Sequence, residues 1–200
     1  MNIVIVILVA LGLWLMLSGR DGTDAAFSEH GFKAFKFYTV LSNLLVGLAA
    51  AGILLCRIFG GDLLCAYGWK YAGAVSVTLT FLVTAFFLAP AWPGGWKEMY
   101  QGSNFFFHLV VPVLSVVSFA GWEKAHFPFA MTFVATVPTV LYAAYYIANA
   151  LPHARDGHVP PEYDWYGFFR GGTKTAPAVA ALIIGITWLM AVAIWWLNSL

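Results

Sequence analysis

The chain has 200 residues, of which 62% are hydrophobic, 18% aromatic and only 10% charged, and its formal net charge is +1. Soluble domains carry roughly 25% charged residues, so this composition excludes an ordinary water-soluble domain and suits hydrocarbon. A charge near zero with no basic run also excludes nucleic acid as a partner.

In chain order, apolar runs predict membrane spans over 2–18, 34–56, 70–90, 104–122, 127–151 and 174–198. Roughly 20 apolar residues suffice to cross a bilayer core. Lipid supplies no partners for backbone N–H and C=O groups, and the runs lack period-two alternation, so they read as helices rather than barrel strands. The expected fold is all-α: a polytopic, six-transmembrane-helix bundle forming one domain over 1–200. The first run resembles a signal peptide, but no Lys or Arg precedes it, so it reads as a retained span. Asn2 and Arg20 flank it and are expected to snorkel to its ends.

An even number of spans places both termini on one side, called side A, with the loops 57–70 and 122–126. Side B receives the loops 19–33, 90–103 and 152–174. Side B holds Arg20, Lys33, Lys36, Lys97, Arg155, Arg170 and Lys174, against Arg57, Lys70 and Lys124 on side A. The excess of positive residues places side B in the cytoplasm. Trp92, Trp96, Trp122, Trp165, Trp195 and Trp196 fall near span ends, where amphipathic rings settle at the headgroups. Gly60-Gly61, Gly94-Gly95 and Gly171-Gly172 read as turns. Ala49-Ala50-Ala51 and Ala178-Val179-Ala180-Ala181 read as surfaces of close helix approach. Cys56 and Cys65 read as free thiols rather than as a disulfide pair.

Among the ionisable Asp, Glu, Lys, Arg and His residues, only His108 falls well inside an expected span. A titratable group at that depth is either functional or a neutral imidazole serving as packing glue between helices. Asn104 lies one helical turn before it and is placed to orient the ring. Pro112 lies four residues after it and has no N–H to give the His108 carbonyl, which predicts a kink. Thr39 is the second candidate, with Ser42 and Asn43 one turn further on. Counting 1.5 Å per residue from the side B ends of their spans puts Thr39 and His108 both roughly 6–8 Å deep. That depth permits contact if the second and fourth spans are neighbours.

His153, Asp156 and His158 form a loose cluster in the last side B loop. Zinc needs three or four organised ligands, so a solvated loop is the better reading and no metal or other cofactor is expected. A lysine deep in a span, as retinal would require, is absent from the sequence pattern.

The segment Phe35-Lys36-Phe37-Tyr38-Thr39-Val40-Leu41-Ser42-Asn43-Leu44-Leu45 resembles the second span of the androgen-induced-gene-one family and its bacterial six-span relatives. Asn104-Phe105-Phe106-Phe107-His108-Leu109-Val110-Val111-Pro112 resembles that family's fourth-span histidine and following proline. Asp164-Trp165-Tyr166-Gly167-Phe168-Phe169 resembles its aromatic motif before the last span. The resemblance implies an intramembrane hydrolase in which a Thr and a His cleave esters of hydroxy fatty acids, and the matching positions are Thr39 and His108. The chain departs from that pattern around His108, where the proline follows at four residues and a second nearby histidine is missing.

The expectation is therefore a multi-pass protein of a bacterial plasma membrane that hydrolyses a bilayer lipid ester. Thr39 is the expected nucleophile, His108 the base, and Asn43, Asn104 and Ser42 orienting or substrate-binding groups. Asp164, Trp165 and Tyr166 lie on a loop expected to cover the site. The alternative is a small proton-coupled transporter, or a non-catalytic lipid-binding membrane protein, with His108 as its switch.

Overall fold

A computed structural model describes residues 1–19, 31–91 and 94–200 of the chain; Arg20 and Trp92, named above, lie outside the described residues. The protein is an all-α, multi-pass membrane protein. Seven helices are described: α1 (Asn2–Ser18), α2 (Tyr38–Phe59), α3 (Leu63–Ala91), a short α4 (Gly95–Met99), α5 (Gly102–Trp122), α6 (Met131–Ala150) and α7 (Ala176–Ser199). α2, α3, α5, α6 and α7 are long and apolar enough to cross a membrane. α1 is also apolar, with 17 residues. It nevertheless runs between the same two ends of the bundle. Asn2 meets residues of α3 and of the α5 end, while Met16 packs with Phe37 and Phe107 at the opposite end.

α3 is the hub, packing against α2, α5, α6 and α7. In its most apolar window 61% of residues are buried, whereas no other candidate span exceeds 44%. Close approach depends on small residues, because lipid-facing helices gain little from hydrophobic burial and rely on van der Waals fit. A Cβ at Gly73 of α3 would lie 2.8 Å from the Val46 Cα of α2, and one at Gly47 would lie 2.8 Å from Val9 Cγ1 of α1. Ala49 and Ala50 are buried in the same region, as expected, but Ala178 and Ala181 of α7 are exposed. The Ala-rich stretch of α7 therefore turns Ala178 and Ala181 outward, while Ala180 faces the space it shares with neighbouring helices.

Helix boundaries depart from the sequence expectation at three places, one being that α6 starts at Met131 and not at 127. α2 starts at Tyr38 rather than at residue 34, because Gly31–Lys36 forms a 3-10 turn and Phe37 is extended. α3 starts at Leu63, seven residues before the expected span. Asp62 caps it, accepting from the Leu64 and Cys65 amides at 2.8 and 3.2 Å, which satisfies two of the first-turn donors. The loop from α2 shrinks to Gly60, Gly61 and Asp62, with Gly60 at φ 73° ending α2. Cys56 and Cys65 are free thiols.

The early start of α3 corrects the placing of Lys70 in a side A loop. Lys70 lies two turns inside the helix and is 0% exposed. Its Nζ donates to Asn2 Oδ1 at 2.6 Å, and Asn2 Nδ2 donates to Glu123 Oε1 at 2.6 Å. Glu123, 1% exposed, also accepts from Ser118 Oγ at 2.8 Å, and its Oε1 lies 3.9 Å from Lys70 Nζ. Asn198 Nδ2 donates to the Phe119 and Glu123 carbonyls at 2.7 and 3.0 Å. These bonds gather both termini, the start of α3 and the end of α5 at one end of the bundle, which is the arrangement the side A assignment requires.

Candidate functional site

The opposite end is organised by two proline-driven irregularities. In α3, Thr84–Leu88 is a π turn, with the Ala89 amide donating to the Thr84 carbonyl five residues back. In α5, Phe106–Val110 is a π turn, with the Val111 amide donating to the Phe106 carbonyl. Each turn begins six residues before a proline, Pro90 or Pro112. A helix-interior proline lacks an N–H and its ring collides with the carbonyl four residues earlier; widening the turn relieves the collision. Such π turns recur at functional sites.

The π turn also changes which carbonyl lacks a partner. The sequence points to His108. In the widened register the Val111 amide is already used by Phe106, and the residue five beyond Phe107 is Pro112, so the Phe107 carbonyl has no donor on its own helix. Asn43 of α2 fills the gap, its Nδ2 donating to Phe107 O at 3.1 Å and to Thr39 O at 2.8 Å. Asn43 is fully buried. It clamps α2 to the irregular turn of α5 rather than orienting the imidazole.

The two π turns bring His108 and Thr84 together. His108 Nδ1 and Thr84 Oγ1 are 2.8 Å apart, and both side chains are buried. With Thr84 as donor, Nδ1 is the acceptor of this contact, the role a general base needs. His108 and Thr39 share no hydrogen bond among the described residues.

Thr84 forms part of the wall of a partly open cavity of about 80 Å³ lined by α2, α3, α6, α7 and the 151–175 loop. Its polar surface is a set of hydroxyls: Thr39, Thr80, Thr84 and Thr139, with Tyr38, Tyr142, Tyr146 and Tyr166. No Asp, Glu, Lys, Arg or His is among the lining residues; His108 stands behind Thr84. Most hydroxyls are committed. Thr80 Oγ1 donates to Val77 O at 2.7 Å, and Thr139 Oγ1 pairs with Tyr38 OH at 2.7 Å. Thr39 makes no side-chain hydrogen bond among the described residues, so its hydroxyl is available to the cavity.

The aromatic loop closes the side B end. Tyr166, Phe168 and Phe169 line the cavity. Tyr166 OH accepts the Tyr38 amide at 2.9 Å, serving as the cap that the start of α2 otherwise lacks. Burial raises the Tyr166 phenol above its ordinary range, so it stays protonated. Tyr142 OH donates to Lys36 O at 2.7 Å and accepts from Trp165 Nε1 at 3.1 Å. Asp164 holds the loop: it accepts from Tyr146 OH and, at 3.0 Å, from the Phe169 amide. Its bonds bind the loop to α6 and complete no triad with His108.

The other predicted residues distribute as follows. Ser42 is buried and donates to Thr39 O at 3.0 Å. Asn104 is half-buried and makes no hydrogen bond to His108, because the π turn between them breaks the one-turn relation. Trp165 packs edge-on against Tyr146 and Phe37 instead of standing alone at the interface. His153 stacks on Tyr163 at 3.5 Å and its Nδ1 lies 2.9 Å from Asn149 O. Sequence reasoning missed Thr84, Tyr38 and Tyr142. The signal for Thr84 was present: a proline six residues further on, at the same spacing that Phe106 has from Pro112.

No family model matches this chain, and neither does any curated protein or solved structure.

Proposed function

We propose that this protein is an intramembrane hydrolase that cleaves the ester of an apolar acyl chain drawn from the bilayer, with Thr84 as nucleophile and His108 as general base. The observation that carries the reading is the 2.8 Å contact of Thr84 Oγ1 with His108 Nδ1 at the wall of an apolar, hydroxyl-lined cavity. A threonine hydroxyl is a weak nucleophile and needs an adjacent base within hydrogen-bond reach. Thr84 has that base. Thr39, the position favoured by the resemblance, contributes the uncommitted hydroxyl across the same cavity.

In this reading Thr84 Oγ attacks the ester carbonyl carbon while its proton passes to His108 Nδ1. The oxyanion takes a hydrogen bond from the Thr39 hydroxyl. The C–O bond to the alcohol breaks, and the alkoxide receives the proton from His108. A water then repeats the sequence in reverse, releasing the acid and restoring Thr84. The absence of charged groups from the cavity suits an acyl chain and disfavours a polar headgroup at that depth. A fatty acid ester of a hydroxy fatty acid fits these terms. With seven of the ten Lys and Arg residues at side B, the cavity lies near the cytoplasmic face of a bacterial plasma membrane.

The test is ester turnover by purified protein in detergent, using acyl esters of graded chain length. Thr84→Ala and His108→Ala are expected to lose turnover at least a hundredfold, in line with the 10²–10⁴-fold worth of general acid–base catalysis. Thr39→Ala is expected to lower kcat less and leave KM near its original value. Full activity in Thr84→Ala with none in Thr39→Ala would return the nucleophile to Thr39. Full activity in His108→Ala would remove the mechanism.

A further inference from the structure

A second void lies on the lipid side of the cavity. A groove of about 500 Å³ runs between α2 and α6, floored by Ser76 of α3 and edged by Leu41, Leu45 and Leu141. Its outer rim faces hydrocarbon: Leu141 is 65% exposed and Tyr145 47%. Groove and cavity share two lining residues, Tyr38 and Tyr142. Their rings stand 5.0 Å apart at a tilt of 56°, so the partition between the two voids is a single layer of aromatic side chains. Protein interiors are close-packed, with few voids larger than a water. Two voids that share a wall of aromatic side chains, one rimmed by lipid-facing residues and one lined by Thr39 and Thr84, have the layout of a passage.

The two rings are fastened unequally. Tyr142 OH bonds both the Lys36 carbonyl, at 2.7 Å, and Trp165 Nε1, whereas Tyr38 OH is held by Thr139 Oγ1 at 2.7 Å. The Ser76 and Ser42 hydroxyls already donate to backbone carbonyls, at 2.8 Å to Ala72 and 3.0 Å to Thr39, so the groove offers few unspent polar groups. No charged residue lines it.

We propose that the groove between α2 and α6 admits one acyl chain of a membrane lipid sideways from the bilayer, and that Tyr38 is the gate, swinging from Thr139 to let the chain into the cavity. The occupant is an acyl chain because both voids are uncharged and the rim faces hydrocarbon. A headgroup, an ion or a phosphate would find no partner in either. The proposal rests on the hydrolase reading for its purpose, but its test reads binding and not turnover.

The probe is a long-chain fatty acid carrying a photoactivatable diazirine near its terminal carbon, in phosphatidylcholine nanodiscs holding the full chain. Labelled positions are mapped after irradiation. Label is expected at Leu41 and Leu141 in the groove and at Leu79 and Ile147 in the cavity, above that at Leu48 and Leu182, which face lipid elsewhere and are each 63% exposed. Ala180→Trp, or Ile183→Trp as an independent variant, fills the cavity and is expected to cut cavity label several-fold while groove label persists. Tyr38→Phe is expected to raise cavity label several-fold. Equal label at groove, cavity and the two reference leucines, or cavity label unchanged in both Trp variants, overturns the proposal. Dimerisation that shields the groove overturns it in favour of a second copy. Two measurements keep the readings apart: lost turnover with label retained in His108→Ala supports the passage, and wild-type protein that hydrolyses a short ester without taking cavity label refutes the passage alone.

Discussion

At the end of the bundle that holds both termini, Lys70 and Glu123 are almost fully buried, and Asn2 and Ser118 bond to them. At the other end the cavity contains no charge, but it has empty space, an uncommitted Thr39 hydroxyl and two helices bent out of register. Burial of charge alone would direct attention to the first end. The comparison teaches that cost and use separate. The expensive groups are those that neutralise one another and fix the ends of α1, α3 and α5. The groups free to meet a ligand are inexpensive hydroxyls beside a void.

The largest effect expected from this contrast is at the charged end. Removing one member of a buried ion pair leaves the other uncompensated, which costs about 3–5 kcal/mol. Lys70→Met or Glu123→Leu should therefore lower stability by that order, read by thermal or denaturant unfolding in detergent. The double variant should recover most of the loss, because no lone charge remains. Ester turnover per folded molecule should be unaffected in all three. A double variant as unstable as the worse single one would mean that the network is valued for its hydrogen bonds and not for charge balance.

The difference between the ends also separates what was readable in the sequence from what was not. Apolar runs of span length identify the helices well, because lipid leaves the backbone no other solution. The burial of Lys70 was invisible, since its partners come from positions 2 and 123 and the capping role of Asp62 decides that α3 starts early. Thr39 and His108 were legible as polar residues near the side B end, where both lie, but not at equal depth: Thr39 is the second residue of α2 and His108 lies nearly two turns into α5. Their pairing was not legible. Depth is a one-dimensional argument, and the π turns rotate the faces of α3 and α5 in a way that a regular 3.6-residue count cannot supply. Asn104 shows the same failure, losing its expected alignment with His108 across the widened turn.

A middle-sized effect tests that irregularity. Asn43→Ala leaves the Phe107 carbonyl buried without a donor, a loss of about 1–3 kcal/mol. Pro112→Ala supplies an N–H at the position five beyond Phe107 and relieves the reason for the π turn. In that background Asn43→Ala should cost measurably less, so a double-mutant cycle should give a coupling above about 0.5 kcal/mol. Pro112→Ala alone should reduce turnover, because a regular helix turns His108 away from Thr84. Additive costs would show that the proline and the asparagine act independently.

The smallest effect is expected at the tyrosine that caps α2, and it tests whether the uncharged end stays uncharged. Tyr166→Phe removes the acceptor for the Tyr38 amide, a cap-like loss of about 1 kcal/mol. It also removes an ionisable group. Burial raises the folded Tyr166 pKa above its ordinary value of 10.0, so the fold favours the neutral phenol while the unfolded chain ionises more readily. That contribution to stability is complete below pH 10 and is lost as pH rises towards the higher folded value. The wild-type protein should therefore lose stability on the alkaline side more steeply than Tyr166→Phe. The two unfolding curves, measured from pH 8 upward, should converge as the phenolate becomes the favoured form in the unfolded chain. Parallel curves would mean that Tyr166 meets water in the folded state, and the aromatic loop would then be an open rim rather than a cover.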